Sequence, residues 1–230
     1  MVIEYSEIDN LTLLKKIALT NKTSNNKQSH MSLSIRPYVK SDLPYLYEIC
    51  LKTGDSGKDA THLYRDSLLL GHFYAAPYAV FHPELTFILA DKEKPVGYII
   101  GTNNSQAFYE VTEKEWFQSL RSKYPMPNES DSSLDARIIR LIHKGHVPKP
   151  ELLSYPAHLH IDILPEGQGQ GMGRKLIETF INKLVEMKVP ALHLEVGKRN
   201  TNAIQFYEKV GFSVIKEYEY SIGYGIKLLN

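Results

Sequence analysis

Four glycines fall within seven positions of the run Leu164-Pro165-Glu166-Gly167-Gln168-Gly169-Gln170-Gly171-Met172-Gly173-Arg174. Ahead of it, Ala157 to Leu164 reads as a strand. Behind it, Leu176, Ile177, Phe180, Ile181 and Leu184 fall on one face of a helix, so the run is a strand-to-helix turn. Glycine lets a backbone come close to a ligand, and the unpaired N–H groups at a helix start, with the positive end of its dipole, attract an anion. A diphosphate suits such a turn. Glycines by themselves are a weak signal, and an ordinary flexible connection has the same composition. The Gly-Lys-Ser/Thr of a Walker loop is absent. A dinucleotide fingerprint also fits poorly, for want of a chain-initial βαβ unit and of an acid ~20 residues on at a strand end.

Asp162 interrupts the apolar strand before the turn, and a carboxylate there is costly unless paired or used. Two roles stand open for it, a proton-accepting base and a structural hydrogen bond or salt bridge. Glu195, similarly placed on the next strand, is the reserve. His158 and His160 lie two apart on one strand and share a face, with His193 able to approach from its neighbour. Histidine pairs on strands commonly pack or hydrogen-bond, and no carboxylate or cysteine visibly completes a ligand set, so no metal is expected. Asp55 and Asp59 belong to a loop, 53–60, whose acids would attract a basic acceptor or simply cap a solvated turn. Cys50 is expected to be buried and inert on an apolar helix face.

The elements that must position these groups can be read in order. Residues 21–32 are almost wholly polar and read as a linker after a short amphipathic helix, Ile8 to Leu19. Leu33 and Ile35 begin a strand, and Ser41-Asp42 offers an N-cap to a helix carrying Leu43, Leu46, Tyr47 and Ile49. A further helix is expected through Leu63, Leu68 and Leu70. Thr86 to Ala90 and Val96 to Gly101 form a hairpin. Residues 102–156, with helices near Thr112 to Leu120 and Leu134 to His143, are too long for an ordinary connection and read as an insertion. The remainder runs strand Ala157 to Leu164, helix Met172 to Met187, strand Ala191 to Val196, helix Asn202 to Val210, then strands Phe212 to Tyr220 and Ile222 to Leu229. This gives an α/β domain over 33–230, preceded by the extension 1–32.

The chain has 230 residues, 43% hydrophobic and 23% charged, enough for one sizeable core. Its formal net charge of +1 supplies no global field toward nucleic acid or an anionic membrane. Apolar runs fall short of the ~20 residues that span a bilayer. A single cysteine makes no internal disulfide, and Glu4, Glu7 and Asp9 without arginine do not suit a mitochondrial presequence. A reducing compartment is expected, the cytoplasm first and the nucleus second.

The segment Gln168-Gly-Gln-Gly171-Met-Gly173 resembles the Gln/Arg-x-x-Gly-x-Gly/Ala signature of the Gcn5-related N-acetyltransferases (GNATs). About 25 residues later, the run from Arg199-Asn200 through Ala203, Phe206-Tyr207 and Lys209 to Gly211-Phe212 resembles their second signature. More narrowly, Asp55 to Thr61, Gly71 to Tyr78, Gly97 to Thr102 and Ala157 to Pro165 look like the acetyltransferase-like domain attached to O-GlcNAcases and its free-standing microbial relatives. Coverage runs from about Leu33 to the end. The resemblance implies a mixed, mostly antiparallel sheet of about seven strands flanked by helices, splayed between 157–164 and 191–196 to admit acetyl-CoA. It implies that Ile163 and Leu164 pair with the pantetheine arm. Gln168, Gly169, Gln170, Gly171, Met172, Gly173 and Arg174 would hold the pyrophosphate, Asn200 would bond the pantetheine, and Ala203, Phe206 and Lys209 would line the far side.

Tyr207 stands where many members place a phenol near the sulfur; with an ordinary pKa ~10 it could protonate a departing thiolate, or it is a core aromatic. A lysine-like amine with pKa ~10.4 needs about 4 to 5 kcal/mol to lose its proton at pH 7, which is the task for Asp162 as base. The expected activity is direct acetyl transfer from acetyl-CoA to a primary amine, on a small molecule or peptide. The alternative is a catalytically silent module that binds acetyl-CoA. Transfer to a hydroxyl or amino sugar is a weaker third reading.

Overall fold

The computed structural model describes residues 32–229, and the expected helix Ile8 to Leu19 and nearly all of the polar linker lie outside them. The strands are β1 (Leu33–Pro37), β2 (Thr86–Asp91), β3 (Lys94–Thr102), β4 (Ala157–Ile163), β5 (Ala191–Gly197), β6 (Ser213–Glu217) and β7 (Ser221–Lys227). They form one sheet in the order β1-β2-β3-β4-β5-β7-β6. Every neighbouring pair is antiparallel except β4 with β5, which is parallel. The mixed, mostly antiparallel sheet expected of the fold is present.

Helices cover both faces. One face carries α1 (Leu43–Thr53), α2 (Leu69–Tyr74), α3 (Ala76–Phe81), α4 (Ser105–Thr112), α5 (Gln118–Lys123) and α6 (Leu134–Lys144). The other carries α7 (Met172–Glu186) and α8 (Thr201–Lys209). Strand alternation divides the side chains between two cores. Ile88, Ala90, Tyr98 and Ile100 point to the first core, while Leu89, Val96, Ile99, Leu159, Leu192 and Leu194 point to the second. On β4 and β5 the same alternation sends His158, His160, Asp162, His193 and Glu195 toward the first face.

Three local expectations change. The helix expected near Thr112 to Leu120 is longer, because α4 passes through a π turn at Glu113–Phe117 into α5. The helix expected through Leu63 to Leu70 is two pieces, a 3-10 turn at Thr61–Leu63 and α2. Asp42 precedes α1 but makes no side-chain cap bond to it. Its carboxylate instead receives two guanidinium bonds from Arg36, at 2.7 and 2.8 Å, and the Val39 N–H at 2.9 Å, tying β1 to the following turn. The 102–156 stretch contributes Phe108, Phe117, Ile138 and Ile142 to the first core, so it is packed structure rather than a loose loop. No helix among the described residues is long and apolar enough to cross a membrane.

Candidate functional site

The glycine-rich turn leaves β4 through a 3-10 turn at Pro165–Gly167 and enters α7 at Met172. Gly169 and Gly171 have φ of +77° and +74°, in the left-handed region that side chains resist. A Cβ built on either meets nothing within 4 Å, so the turn borders an open cradle. At Gly173 a Cβ would lie 3.2 Å from the Phe206 ring, which sets the start of α7 close against α8. Arg174 adds a bond from its guanidinium to the Lys209 carbonyl at 3.0 Å. Gln168 donates its side-chain amide to the Ile163 carbonyl at 2.6 Å, closing the turn on the strand end. The N–H groups of the first helical turn have no intrahelical acceptor, and they face this cradle with the helix dipole behind them. The arrangement fits a diphosphate.

Parallel pairing of β4 with β5 is limited to Ala157↔Leu192 and His158↔His193. Beyond those two, β4 stays with β3 as far as Gly97↔Ile163, and β5 stays with β7 as far as Gly197↔Ser221. The strands therefore part after His158 and His193. The gap widens toward the glycine turn, and the backbone groups that β4 and β5 turn into it have no neighbouring strand. An extended pantetheine arm can take that place as a strand would.

Asp162 belongs to the stretch of β4 beyond the last pair with β5, half-buried, with Tyr98 donating to its Oδ2 at 2.6 Å. Burial holds its carboxyl above the usual carboxylate value, opposed by hydrogen bonds from Tyr98 and Thr53. Cys50 sits beneath, buried, its thiol pushed up first by burial and then by the Asp162 charge. That thiol is inert at neutral pH. Tyr207 is buried on α8, in ring contact with Phe206, Phe212 and Tyr224. Burial pushes its phenol upward, and the nearby Asp162 charge adds to that, so it carries its proton at neutral pH. Tyr207 packs in the second core while Asp162 turns to the first face, and what links them is the Asp162 charge felt at the phenol.

Asn200 caps α8, its Oδ1 accepting from the Ala203 N–H at 3.1 Å. Its Nδ2 faces the loop at Gly57. Asp55 in that loop approaches Arg199 at 3.8 Å, so the loop and the start of α8 meet. Asp59 is exposed and held below its ordinary value by hydrogen bonds from Thr61. Ala203 and Phe206 are half-buried against the second core, and Lys209 is exposed.

Where β4 and β5 part, a cavity of about 480 Å³ opens on the first face. Leu159, His160, Leu194 and Glu195, the residues next beyond the last pair, line it. The rest of its wall comes from α2 and α3, from α4, from the end of α6 and from the segment to Pro156. Glu195 is ion-paired with Lys149 across the opening. Of the three acids considered for an acceptor, only Glu195 borders this space. Tyr78 Oη lies 2.8 Å from His158 Nε2 and 3.1 Å from His160 Nε2, and Ser105 Oγ lies 2.7 Å from His158 Nδ1. His158 and His160 therefore bond to hydroxyls, His193 Nδ1 lies 2.6 Å from the Tyr155 carbonyl, and no group that could hold a metal occurs among the described residues.

A family model for the acetyltransferase (GNAT) family matches residues 146–212. The crystal structure of SsHAT is similar over 86% of this chain and 100% of its own, with a TM-score of 0.81 and 36% sequence identity. The chain belongs to the GNAT acetyltransferase family. Among curated relatives of this GNAT chain, the protein O-GlcNAcase of Rattus norvegicus is 24% identical over 187 residues, 80% of this chain and 20% of that protein. The chain thus spans about a fifth of the length of that relative. The [ribosomal protein bS18]-alanine N-acetyltransferase of Escherichia coli (strain K12) is 43% identical over 54 residues, 24% of this chain and 36% of its own. A putative acetyltransferase from Salmonella typhimurium, solved with acetyl-CoA, shares the fold with a TM-score of 0.52 at 14% identity over 86% of this chain and 95% of that one.

Within this GNAT chain Tyr78, Ser105 and Lys149 join the site although no residue pattern gave them a role there. Tyr78 and His158 are separated by 80 positions, and Lys149 and Glu195 by 46. No local pattern marks such pairs. The parity of His158, His160 and Asp162 was the one available signal that a shared face existed.

Proposed function

We propose that this GNAT-family chain transfers the acetyl group of acetyl-CoA directly to a primary amine. The observation that carries the reading is the two-pair seam between β4 and β5, which opens onto a left-handed glycine cradle. Backbone groups of Gln168 to Arg174 would hold the pyrophosphate, and Ile163 with Asn200 would receive the pantetheine, with Ala203, Phe206 and Lys209 beyond it; Leu164, expected to pair with that arm, instead bonds through its N–H to the Val96 carbonyl and through its carbonyl to the Gly167 N–H. The amine nitrogen attacks the thioester carbonyl, a C–N bond forms and the C–S bond breaks. Asp162 takes the proton from nitrogen, and Tyr207 gives one to the leaving sulfur; proton exchange with solvent then restores both groups. The raised Asp162 carboxyl suits a base better than an ordinary aspartate, because proton affinity nearer the working pH improves transfer.

A second reading, a silent module that binds acetyl-CoA, is favoured by one contact. Tyr98 already engages the Asp162 carboxylate at 2.6 Å. The test is incubation with acetyl-CoA and a panel of amines while free thiol is monitored and coenzyme A binding is measured by calorimetry. Saturable binding with no thiol release on any acceptor would favour the silent module. No binding at all would reject both. We also assign 33–230 to the acetyltransferase domain, with 102–156 as its insertion, and place the chain in the cytoplasm or nucleus.

A further inference from the structure

The cavity where β4 and β5 part holds a relay whose hydrogens can be assigned from its partners. The Pro156 carbonyl only accepts, so its 2.7 Å contact with Ser105 Oγ uses the serine proton. Ser105 Oγ then has no proton for His158 Nδ1 at 2.7 Å, and the imidazole donates instead. His158 Nε2 is left with a lone pair, to which Tyr78 Oη donates across 2.8 Å. With its proton engaged, Tyr78 accepts from His160 Nε2 at 3.1 Å. His160 therefore carries its proton on Nε2 and keeps a bare Nδ1. Burial, aided by His193, holds His160 down to about 4, so the ring is neutral at pH 7.

The charges around the cavity select among amines. Lys144, Lys149 and Glu195 are the charged residues that line it, and Glu195 is already paired with Lys149. A chain with several positive charges would meet two cations and no unpaired carboxylate. Phe73, Tyr74, Tyr109 and Tyr155 supply aromatic wall, which favours an apolar body and a single cationic or neutral amino group. About 480 Å³ lies in the range of small-molecule pockets.

We infer that this cavity is the acceptor site, that it takes a compact monoamine with an aromatic or aliphatic body in preference to a polyamine, and that the amino group donates one N–H to the bare Nδ1 of His160, with Asp162, outside the cavity lining, two residues further along the same face of β4. The inference rests on the transferase reading for its reaction but not for its binding. Calorimetry on the full chain with saturating coenzyme A, titrating benzylamine and spermidine separately, tests it. Benzylamine is expected to bind at least tenfold more tightly than spermidine. His160→Phe should weaken benzylamine at least fivefold with coenzyme A affinity unchanged, and Lys149→Glu should narrow the preference by at least threefold. Leu153→Trp, an exposed lining position, should block benzylamine without touching the relay, and serves if His160→Phe does not fold. Absence of benzylamine binding, equal or tighter spermidine binding, or indifference of benzylamine to these substitutions overturns the assignment. Thiol release separates the two ideas: benzylamine bound but never acetylated counts against transfer alone, whereas thiol release with spermidine only counts against the acceptor class alone.

Discussion

Replacing Gly171 with Ala separates the cost of backbone strain from the cost of obstructing the cradle. At φ of +74° the new side chain pays about 1 to 2 kcal/mol for the left-handed conformation. It meets no atom within 4 Å, so no clash is added to that figure in the free protein. For a chain of this size 1 kcal/mol moves the melting temperature by about 2 to 4 °C. With coenzyme A present, the methyl group intrudes where the diphosphate would approach the helix start, and a tenfold weaker Kd corresponds to about 1.4 kcal/mol beyond the strain. Gly211→Ala is the matched control, because Gly211 has φ of +98° and a Cβ there would meet Ile226 only at 3.8 Å. Scanning calorimetry should show comparable destabilisation of the two variants. Titration should show at least a tenfold loss of coenzyme A affinity for Gly171→Ala alone. If both variants bind coenzyme A like the parent, the glycine turn is not a diphosphate cradle.

Asp162→Asn should reduce acetyl transfer by about 100-fold or more while sparing coenzyme A binding; an undiminished rate removes Asp162 as base. An acid raised in the fold loses stability as pH climbs past its unfolded value, so at pH 7.5 this neutral variant should melt no lower than the parent, and a lower melting point points to a structural carboxylate. Burial holds His72, His146 and His160 down to about 4 each, whereas in the unfolded chain they take up protons from about 6.5. Stability present above pH 6.5 should fall as the pH drops toward 4, by up to about 1.4 kcal/mol per pH unit for each histidine, and circular dichroism showing a flat profile across that window would contradict it. Asp42→Ala strands the Arg36 guanidinium and the Val39 N–H, at a cost of about 2 to 3 kcal/mol in urea unfolding, with coenzyme A affinity unchanged; a loss below about 0.5 kcal/mol would refute the role given to that carboxylate.

The C-terminal half was readable because its signals are local. Leu176, Leu184 and their neighbours repeat at helical spacing, and the glycines mark the turn before them, so β4, α7, β5 and α8 fall within a few residues of their expected bounds. Asp42 shows the limit of local reading: a carboxylate before a helix suggests a cap, yet Arg36, on the strand before it, claims it. The continuous helical run from Ser105 to Lys123 was hidden by a π turn, which shifts the apolar period at Trp116 and Phe117. The cavity was not readable at all. Its walls come from β4 with β5, from residues 104–156 and from Phe73, Tyr74 and Tyr78 of α2 and α3, and the pairings that shape it, such as Ser105 with His158, join positions 53 apart.

A sheet whose fourth and fifth strands share two residue pairs carries two raw margins in its own interior. Unpaired strand margins are templates for foreign backbone, whether another copy or an unrelated peptide. Coenzyme A lying in the cleft would serve as a guard as well as a reactant, denying that template to other chains. Aggregation on heating should then fall as coenzyme A is added, even when no acceptor is present to be acetylated.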